Sequence, residues 1–268
     1  MMLRIILVFS SLLLAAAAHA DTQRVEDLDF QRVLVHGSST VEITQGEDEL
    51  LLLRGSSKDL EKQPFFVSGD TLVLGQSKTH PGKSFGNVKF KLTVAQLEHL
   101  QLTGSGEVYV KPLEARKLHI AVEGSGEMKL FGVTGHNVTL MMSGSGDIQV
   151  VELSAQQLQM VLSGSGDIQL GELSAEKVEA SVNGSGDIIV QGAGSSESVE
   201  INIVGSGDVD MGSLAANSVE VNIAGSGSVT VGEVKELDVG IIGSGDVSYS
   251  GDPEIDQSIL GSGDLHHD

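Results

Sequence analysis

The tripeptide Gly-Ser-Gly recurs through the second part of the chain at an almost constant interval. Its nine copies begin at Gly104, Gly124, Gly144, Gly164, Gly184, Gly205, Gly225, Gly243 and Gly261. Successive copies start 20, 20, 20, 20, 21, 20, 18 and 18 residues apart. A repeat of fixed length on this scale is typical of solenoids and propellers, in which each copy is one structural unit that stacks on the next.

Within the repeat, apolar residues alternate with polar residues. Four residues after the first glycine, for example, three successive copies have Ile148, Ile168 and Ile188. Alternation with a period of two predicts strands, and no stretch of the repeat keeps the apolar period of a helix. A propeller blade needs about 40 residues, twice the length of this unit. We therefore predict an all-β fold, a right-handed parallel β-helix with coils of about 20 residues, in which equivalent residues stack in columns.

The first 100 residues lack the tripeptide. Residues 21–100 nevertheless keep strand-like runs such as Val88 to Val94. Because the end coils of a solenoid have one face without a neighbour, they are expected to be atypical. We predict a signal peptide over residues 1–20, atypical N-terminal coils and a cap over residues 21–100, and the repeat solenoid over residues 101–268. A separate small β domain over residues 21–100 is the alternative. Dividing the chain after residue 20 by the repeat length predicts roughly 12 coils.

The N-terminus has the order of a secretory signal peptide. Arg4 precedes an apolar run from Ile5 to Ala18, and Ala18-His19-Ala20 is a small-x-small cleavage site. A membrane anchor is the rival interpretation, but a spanning helix needs about 20 apolar residues and this run is shorter. We predict cleavage near Ala20 and a periplasmic or secreted protein that is not an integral membrane protein.

Charge and composition exclude several classes of function. The chain has 16 Lys and Arg against 37 Asp and Glu, so nucleic acid is not an expected partner. It has no Cys, which excludes disulfides, zinc–thiolate sites and cysteine nucleophiles. The charge is uneven: residues 21–130 contain 13 basic and 16 acidic residues, whereas residues 131–268 contain 2 and 21. The acidic half could bind cations or a basic surface, or it could serve solubility alone.

An acidic column follows the tripeptide. Its members are Glu107, Glu127, Asp147, Asp167, Asp187, Asp208, Asp246 and Asp264, with Ser228 in the one remaining copy. Stacked carboxylates would attract divalent cations. The alternative is that each Asp accepts a hydrogen bond from a turn amide or stays solvated.

Two further outward columns contain candidate site residues. His99 and His119 fall five residues before the tripeptide and could bind a metal only with a third ligand, while His266 and His267 lie in the tail. Immediately before the last four tripeptides stand Val204, Ala224, Ile242 and Leu260. An exposed aliphatic row could make the protein a homo-oligomer, although an inward turn of the chain at the bend explains it equally well.

The repeated motif resembles one known family. The Gly-Ser-Gly-Asp-Ile copies at residues 144–148, 164–168 and 184–188, together with the openings Phe30-Gln-Arg-Val-Leu-Val and Val41-Glu-Ile-Thr-Gln-Gly, are similar to the head GIN domain family of putative auto-transporter adhesins. The resemblance covers nearly the whole chain after residue 20. It implies a β-helical body similar to pectate-lyase-type solenoids, a role in cell adhesion and no established catalytic residues. Glu107, Glu127 and Ser228 depart from the Asp of the motif.

Catalysis has little support in the sequence. Only Lys177 and Lys235 are basic beyond residue 130, and a nucleophilic serine would not recur in nine copies of one tripeptide. We predict a non-catalytic binding or structural module of the cell envelope, an adhesin whose partner is an unidentified cell-surface or envelope component, with no catalytic residue, cofactor or metal site. The alternatives are a polysaccharide-acting lyase or hydrolase and a divalent-cation-responsive envelope protein.

Overall fold

The computed structural model describes residues 21–268, and the predicted signal peptide lies outside these residues. The structure is almost entirely β, with 69 % strand and 2 % helix. It is a β-solenoid of about 8 turns with coils of about 20 residues, which confirms the fold class predicted from the repeat. The hand of the coil and the domain boundary at residue 100 stay predictions.

The part of the chain before the repeat contains seven strands and one short helix. They are β1 (Asp21–Val25), β2 (Arg32–Gly37), β3 (Thr40–Gln45), β4 (Leu50–Gly55), α1 (Ser57–Leu60), β5 (Phe65–Ser68), β6 (Thr71–Leu74) and β7 (Lys89–Val94). The helix begins after Ser56, whose hydroxyl accepts a hydrogen bond of 3.2 Å from the Asp59 amide. Such a bond satisfies one of the free amides at a helix start.

The repeat consists of strands on either side of each Gly-Ser-Gly bend. The first nine are β8 (His99–Gly104), β9 (Glu107–Val110), β10 (Leu113–Gly124), β11 (Glu127–Leu130), β12 (Val133–Gly144), β13 (Asp147–Gly164), β14 (Asp167–Gly184), β15 (Ile188–Val190) and β16 (Gly194–Gly205). The last six are β17 (Val209–Met211), β18 (Leu214–Gly225), β19 (Val229–Gly243), β20 (Val247–Ser250), β21 (Glu254–Gly261) and β22 (Leu265–His267).

Successive coils pair in parallel, and the register follows the repeat. Leu140 on β12 lies beside Ile120 on β10 and beside Met160 on β13. The same register holds at the bends, where Gly144 pairs with Gly124 and with Gly164. Identical positions of the repeat therefore form straight columns, separated by one strand spacing of about 4.8 Å.

The inward columns form one hydrophobic core. Buried apolar side chains extend without interruption from Val25 to Val247. Ile148, Ile168 and Ile188, which the alternation places inward, are each 0 % exposed. Burial of a side chain of this size stabilises the folded state by about 1.5–3 kcal/mol, so the repeated core is a main source of stability in a chain without disulfides.

The two positions of the tripeptide that hold glycine require it for partly different physical reasons. Gly164 has φ +129°, a conformation that side-chain-bearing residues rarely adopt. At Gly166 the backbone passes so close to the preceding coil that a Cβ atom would overlap the carbonyl oxygen of Gly146. A Cβ at Gly164 would also overlap the Gly144 carbonyl oxygen, so the first glycine is required for conformation and close approach and the second for close approach.

The N-terminal end is built differently from the repeat. β2 pairs in parallel with β8, and β3 pairs in parallel with β9, so β2 and β3 form a coil that precedes the repeat in the stack. β6 pairs in parallel with β2, and β7 pairs in parallel with β3, so the parallel stack continues one coil further. The antiparallel pairs are β4 with β7, β1 with β4, and β5 with β6. The expected number of roughly 12 coils is too high, because residues 46–68 form β4, α1 and β5 instead of coils, and residues 75–88 between β6 and β7 contain no strand.

At the other end, the last strands keep a free edge within residues 21–268. β21 pairs with β19 and β22 pairs with β20, and neither has a second neighbouring strand in the described chain. Most side chains of β21 are exposed accordingly. Among the same residues, no helix is long and apolar enough to cross a membrane.

Candidate functional site

The acidic column is held in the backbone ladder. In five places the Oδ1 atom of one Asp accepts a hydrogen bond from the backbone N–H of the equivalent residue one coil later. The donor and acceptor pairs are Asp167 and Asp147 at 3.3 Å, Asp187 and Asp167 at 3.1 Å, Asp208 and Asp187 at 2.9 Å, Ser228 and Asp208 at 2.7 Å, and Asp264 and Asp246 at 2.9 Å. The carboxylates therefore have a structural role, and the amide they bind belongs to the next coil.

The acceptors of the backbone amides in the acidic column change along the solenoid. The amides of Glu127 and Asp147 donate to the glycine carbonyls Gly106 and Gly126 of the preceding coil, at 3.0 and 3.1 Å. The amides of Asp187, Asp208, Ser228 and Asp264 donate to a carboxylate instead. In these later coils the strand after the bend begins one position further along the repeat, at Ile188 in β15. A short Asp side chain thus replaces a backbone acceptor where the strand after the bend begins later.

The two histidines predicted to stack lie next to each other. The ring centroids of His99 and His119 are 4.7 Å apart, with 23° between the ring planes. Burial lowers the pKa of His99 most, and the positive charges of His119 and Arg32 lower it further. Burial is also the largest cause of the lowered pKa of His119, followed by Arg32 and Lys117. The environment therefore favours two neutral, stacked rings over imidazolium ions.

One group of three metal-ligating side chains lies at the C-terminal end. The carboxylate oxygens of Asp246 and Asp264 and a ring nitrogen of His266 lie within 4.8 Å of one another, and all three residues are exposed. One oxygen of Asp246 already accepts the Asp264 amide. Exposed acidic groups of this kind are solvated by water, so the cluster has no feature that selects a metal ion.

A long groove follows one bend of the solenoid. It has a volume of about 1390 Å³ and extends from Gln45 near the N-terminal end to Ser195. Its sides carry small and polar residues such as Ser154 and Ser174, and the buried Leu153 and Leu173 form part of its floor. The alternation did not reveal this groove, because its depth depends on how the short polar connections turn.

A second groove of about 610 Å³ lies in the acidic half and is called here the acidic groove. It contains six carboxylates, those of Glu200, Glu220, Glu236, Asp238, Glu254 and Asp256, with Lys177 at one end. Lys177 forms a salt bridge of 2.6 Å with Glu179, outside the groove lining. Within residues 21–268, no salt bridge reaches the six carboxylates.

The aliphatic row seen in the sequence is exposed in the structure. It is called here the apolar strip and consists of Val204, Ala224, Ile242 and Leu260, which pair in register across four coils. Their side chains point outward, whereas the adjacent Ile203 and Ile241 are buried. The alternative from the sequence, that the chain turns these side chains inward at the bend, is therefore wrong.

Geometry and register together define a parallel β-solenoid protein with a repetitive outer surface. The chain matches the family described as "Putative auto-transporter adhesin, head GIN domain" over residues 29–193 and again over residues 189–253. It belongs to that family, as the Gly-Ser-Gly-Asp-Ile motif predicted. No curated protein shows a significant match.

Several crystal structures are similar to this fold. A putative lipid binding protein from Parabacteroides distasonis is 26 % identical, with a TM-score of 0.72 over 93 % of this chain and 97 % of that chain. A putative adhesin from Parabacteroides merdae is 20 % identical, with a TM-score of 0.69 over 93 % and 96 %. Another putative adhesin, from Parabacteroides distasonis, is 19 % identical, with a TM-score of 0.60 over 94 % and 98 %. The latter two likenesses concern the fold alone.

Proposed function

We propose that the chain is a non-catalytic, extracytoplasmic adhesin-like module that binds a cell-surface or envelope component through the outer columns of the solenoid. One observation carries this proposal: the register stacks equivalent outward positions in straight columns over about 8 turns, so that similar groups recur in neighbouring coils. Such a surface offers many equivalent weak contacts to a repetitive partner, and linked contacts bind far more tightly than single ones. Membership of the adhesin family agrees with this role.

The extracytoplasmic location rests on the sequence. Arg4, the apolar run from Ile5 to Ala18 and the site ending at Ala20 form the order of a signal peptide. We propose cleavage near Ala20 and release into the periplasm or the cell exterior. Mass spectrometry of the protein purified from its native envelope tests this: an N-terminus at Asp21 supports the proposal, and an intact Met1 opposes it.

A purely binding role is favoured over catalysis by the surface chemistry. In residues 131–268 only Lys177 and Lys235 are basic, and the Lys235 side chain donates a hydrogen bond of 2.7 Å to Asn217. Polysaccharide lyases on related solenoids need basic groups beside acids on one wall. Incubation with uronate and neutral glycans tests the alternative, because sustained product formation would make the protein an enzyme.

Lipid binding is a second candidate function. It is favoured by the 26 % identical structure, which is that of a putative lipid binding protein. The long groove has the volume for an acyl chain and an aliphatic floor at Leu153 and Leu173. Native mass spectrometry after incubation with phospholipid vesicles tests this candidate: a retained lipid that Leu153→Ser displaces supports it, and absence of any retained lipid opposes it.

The divalent-cation alternative also has a direct test. Calorimetry with millimolar calcium would show heat and a raised melting temperature if the acidic column or the Asp246 cluster bound the ion. Because the column already accepts backbone amides, we expect neither effect. A calcium-dependent rise in melting temperature would overturn this expectation.

The adhesin-like role is tested by binding of the labelled protein to immobilised envelope components and glycans. The expected result is saturable binding that unlabelled protein competes away. Absence of saturable binding to every component would contradict the proposal.

A further inference from the structure

The apolar strip begins abruptly within one column of the repeat. The column position immediately before the tripeptide is polar in the earlier coils, at Glu123, Ser143, Ser163 and Asn183. It then becomes aliphatic from Val204 to the last coil. Val204, Ile242 and Leu260 are 57 %, 64 % and 72 % exposed. A continuous exposed aliphatic row of this kind is typical of an interaction surface and contributes little to the stability of the free protein.

Carboxylate columns lie on both sides of the strip, and on the strand side the column of Asn202, Asn222, Gly240 and Ser258 lies between the carboxylates and the strip. The column of Glu200, Glu220, Asp238 and Asp256 lies on the same face, four residues back along each strand, which is about 13 Å at the usual rise of a strand. It forms one wall of the acidic groove. On the other side, beyond the glycine bend, are the exposed Asp208, Asp246 and Asp264. The strip is therefore an apolar track between two anionic margins.

The charge of these margins decides between candidate occupants. Two copies of the chain joined strip to strip would bring their carboxylate columns near each other, and like charges across an interface are unfavourable. Anionic lipid headgroups and nucleic acid meet the same repulsion. A polypeptide with aliphatic side chains along its centre and Lys or Arg at its margins complements the surface, since long basic side chains pack their stems on apolar area while their charged ends reach carboxylates.

We propose that the apolar strip and the acidic groove together dock a cationic amphipathic polypeptide segment. Its aliphatic side chains cover Val204, Ile242 and Leu260, and its basic side chains pair with Glu220, Asp238 and their column neighbours. The four coils of the strip span about 14 Å, which suits about nine residues of an amphipathic helix with basic side chains on both flanks of its apolar face. This inference deepens the proposed function, on which it rests, by naming the partner's chemistry.

The test uses a fluorescent 12-residue peptide of Leu and Lys in which Leu recurs at helical spacing, so that Lys flanks one apolar face. It is titrated with the purified protein at 0.15 M salt and followed by fluorescence anisotropy. We expect saturable binding. The double variant Ile242→Ser with Leu260→Ser should weaken it roughly tenfold, and Glu220→Gln with Asp238→Asn should weaken it by a similar factor and reduce its salt dependence. The matched controls are Met141→Ser, an exposed apolar residue on the same face in an earlier coil, and Glu152→Gln with Glu172→Gln beside the long groove. Both controls should bind as the original chain does.

Three results would overturn the inference. The first is no saturable binding, and the second is equal binding of a Ser-Lys peptide, which would show attraction by charge alone. The third is a dimer of the original chain, seen by sedimentation, that the Ile242→Ser and Leu260→Ser variant dissolves while peptide binding stays unchanged. That result would assign the strip to a second copy. Circular dichroism verifies the fold of each variant, and the single change Leu260→Ser, at the most exposed position, serves if the double variant is unstable. If the protein does not bind the peptide but still binds envelope components, only this inference is contradicted and the adhesin-like role is not.

Discussion

The Oδ1 atom of Asp187 accepts a hydrogen bond of 2.9 Å from the backbone N–H of Asp208, the equivalent residue one coil later. The Asp187 amide donates in turn to Asp167. A carboxylate that appears in the sequence as one member of an anionic row is thus a bridge between neighbouring coils. This relationship explains why a short acidic side chain follows the tripeptide so regularly in the later coils.

Removal of this bridge should destabilise the solenoid. Asp187→Ala removes the acceptor of the Asp208 amide, and we expect a loss of about 1 kcal/mol in the free energy of unfolding. Asp187→Asn keeps an oxygen at the same position and should lose about half of that or less. Chemical denaturation of both variants measures the difference. Equal losses for Ala and Asn would show that the side-chain oxygen is not the stabilising group.

Substitution of the first glycine of the bend should lower the free energy of unfolding more than the Asp187 variants do. Gly164→Ala places a Cβ on a residue at φ +129°, where it overlaps the Gly144 carbonyl, so we expect a loss of about 2–4 kcal/mol. Gly132→Ala is the matched control, because its Cβ would meet Pro112 at an ordinary 3.5 Å. Thermal unfolding should separate the two clearly. A Gly164→Ala variant as stable as Gly132→Ala would contradict the close approach of successive coils.

Two leucines of the repeat differ in solvent exposure and should therefore differ in their contribution to stability. Leu162 is 0 % exposed and Leu260 is 72 % exposed. Leu162→Ala should cost about 2–5 kcal/mol in the free energy of unfolding, whereas Leu260→Ala should change it by less than about 0.5 kcal/mol. The prediction is checked by urea unfolding of both variants. A large loss for Leu260→Ala would mean that the apolar strip serves the fold and not an interaction.

The histidine pair predicts a pH dependence. The folded state lowers the pKa of His99 and His119, so between the lowered and ordinary values the unfolded chain binds more protons than the folded one. Stability contributed by the neutral pair is therefore present above about pH 6.5 and is lost as the pH falls below that value. The double variant His99→Gln with His119→Gln should lose less stability between about pH 7.5 and 5.5 than the original chain.

The measurement is denaturation at several pH values, with stability above about pH 7.5 as the reference for each protein. A loss on acidification that is the same for both proteins would show that the pair does not couple to folding. A larger loss in the variant would reverse the sign and contradict the burial argument.

The repeat made the columns predictable, but it could not give the contacts between them. Ile148 and Leu162 follow from alternation alone, because a period of two fixes which side chains point inward. That the carboxylate of Asp187 accepts an amide of the following coil depends on how closely two coils stack at the bend, which no single copy encodes. The two grooves likewise depend on how the chain turns between strands.

The structure of the region before the repeat was harder to predict from the sequence for a related reason. β4 pairs antiparallel with β7, β5 pairs antiparallel with β6, and α1 begins at Ser57, yet residues 46–70 have no periodic pattern that indicates these arrangements. Antiparallel partners are chosen by packing against the end of the stack, which is a property of the assembled fold. The exposure of Ile242 and Leu260 was also left open by the sequence, since outward parity near a bend does not fix the direction of a side chain.

The central claim is that equivalent residues lie in register in parallel coils, and spin-label distances test it most directly. Because the chain has no Cys, labels can be placed in pairs without other changes. With one label at Thr139 and the second at Glu220, Asp238 or Asp256, the stacking of one column predicts distances of about 19, 24 and 29 Å, a constant step per coil. Distances that do not rise in equal steps, as antiparallel hairpins would give, would contradict the solenoid and the surfaces derived from it.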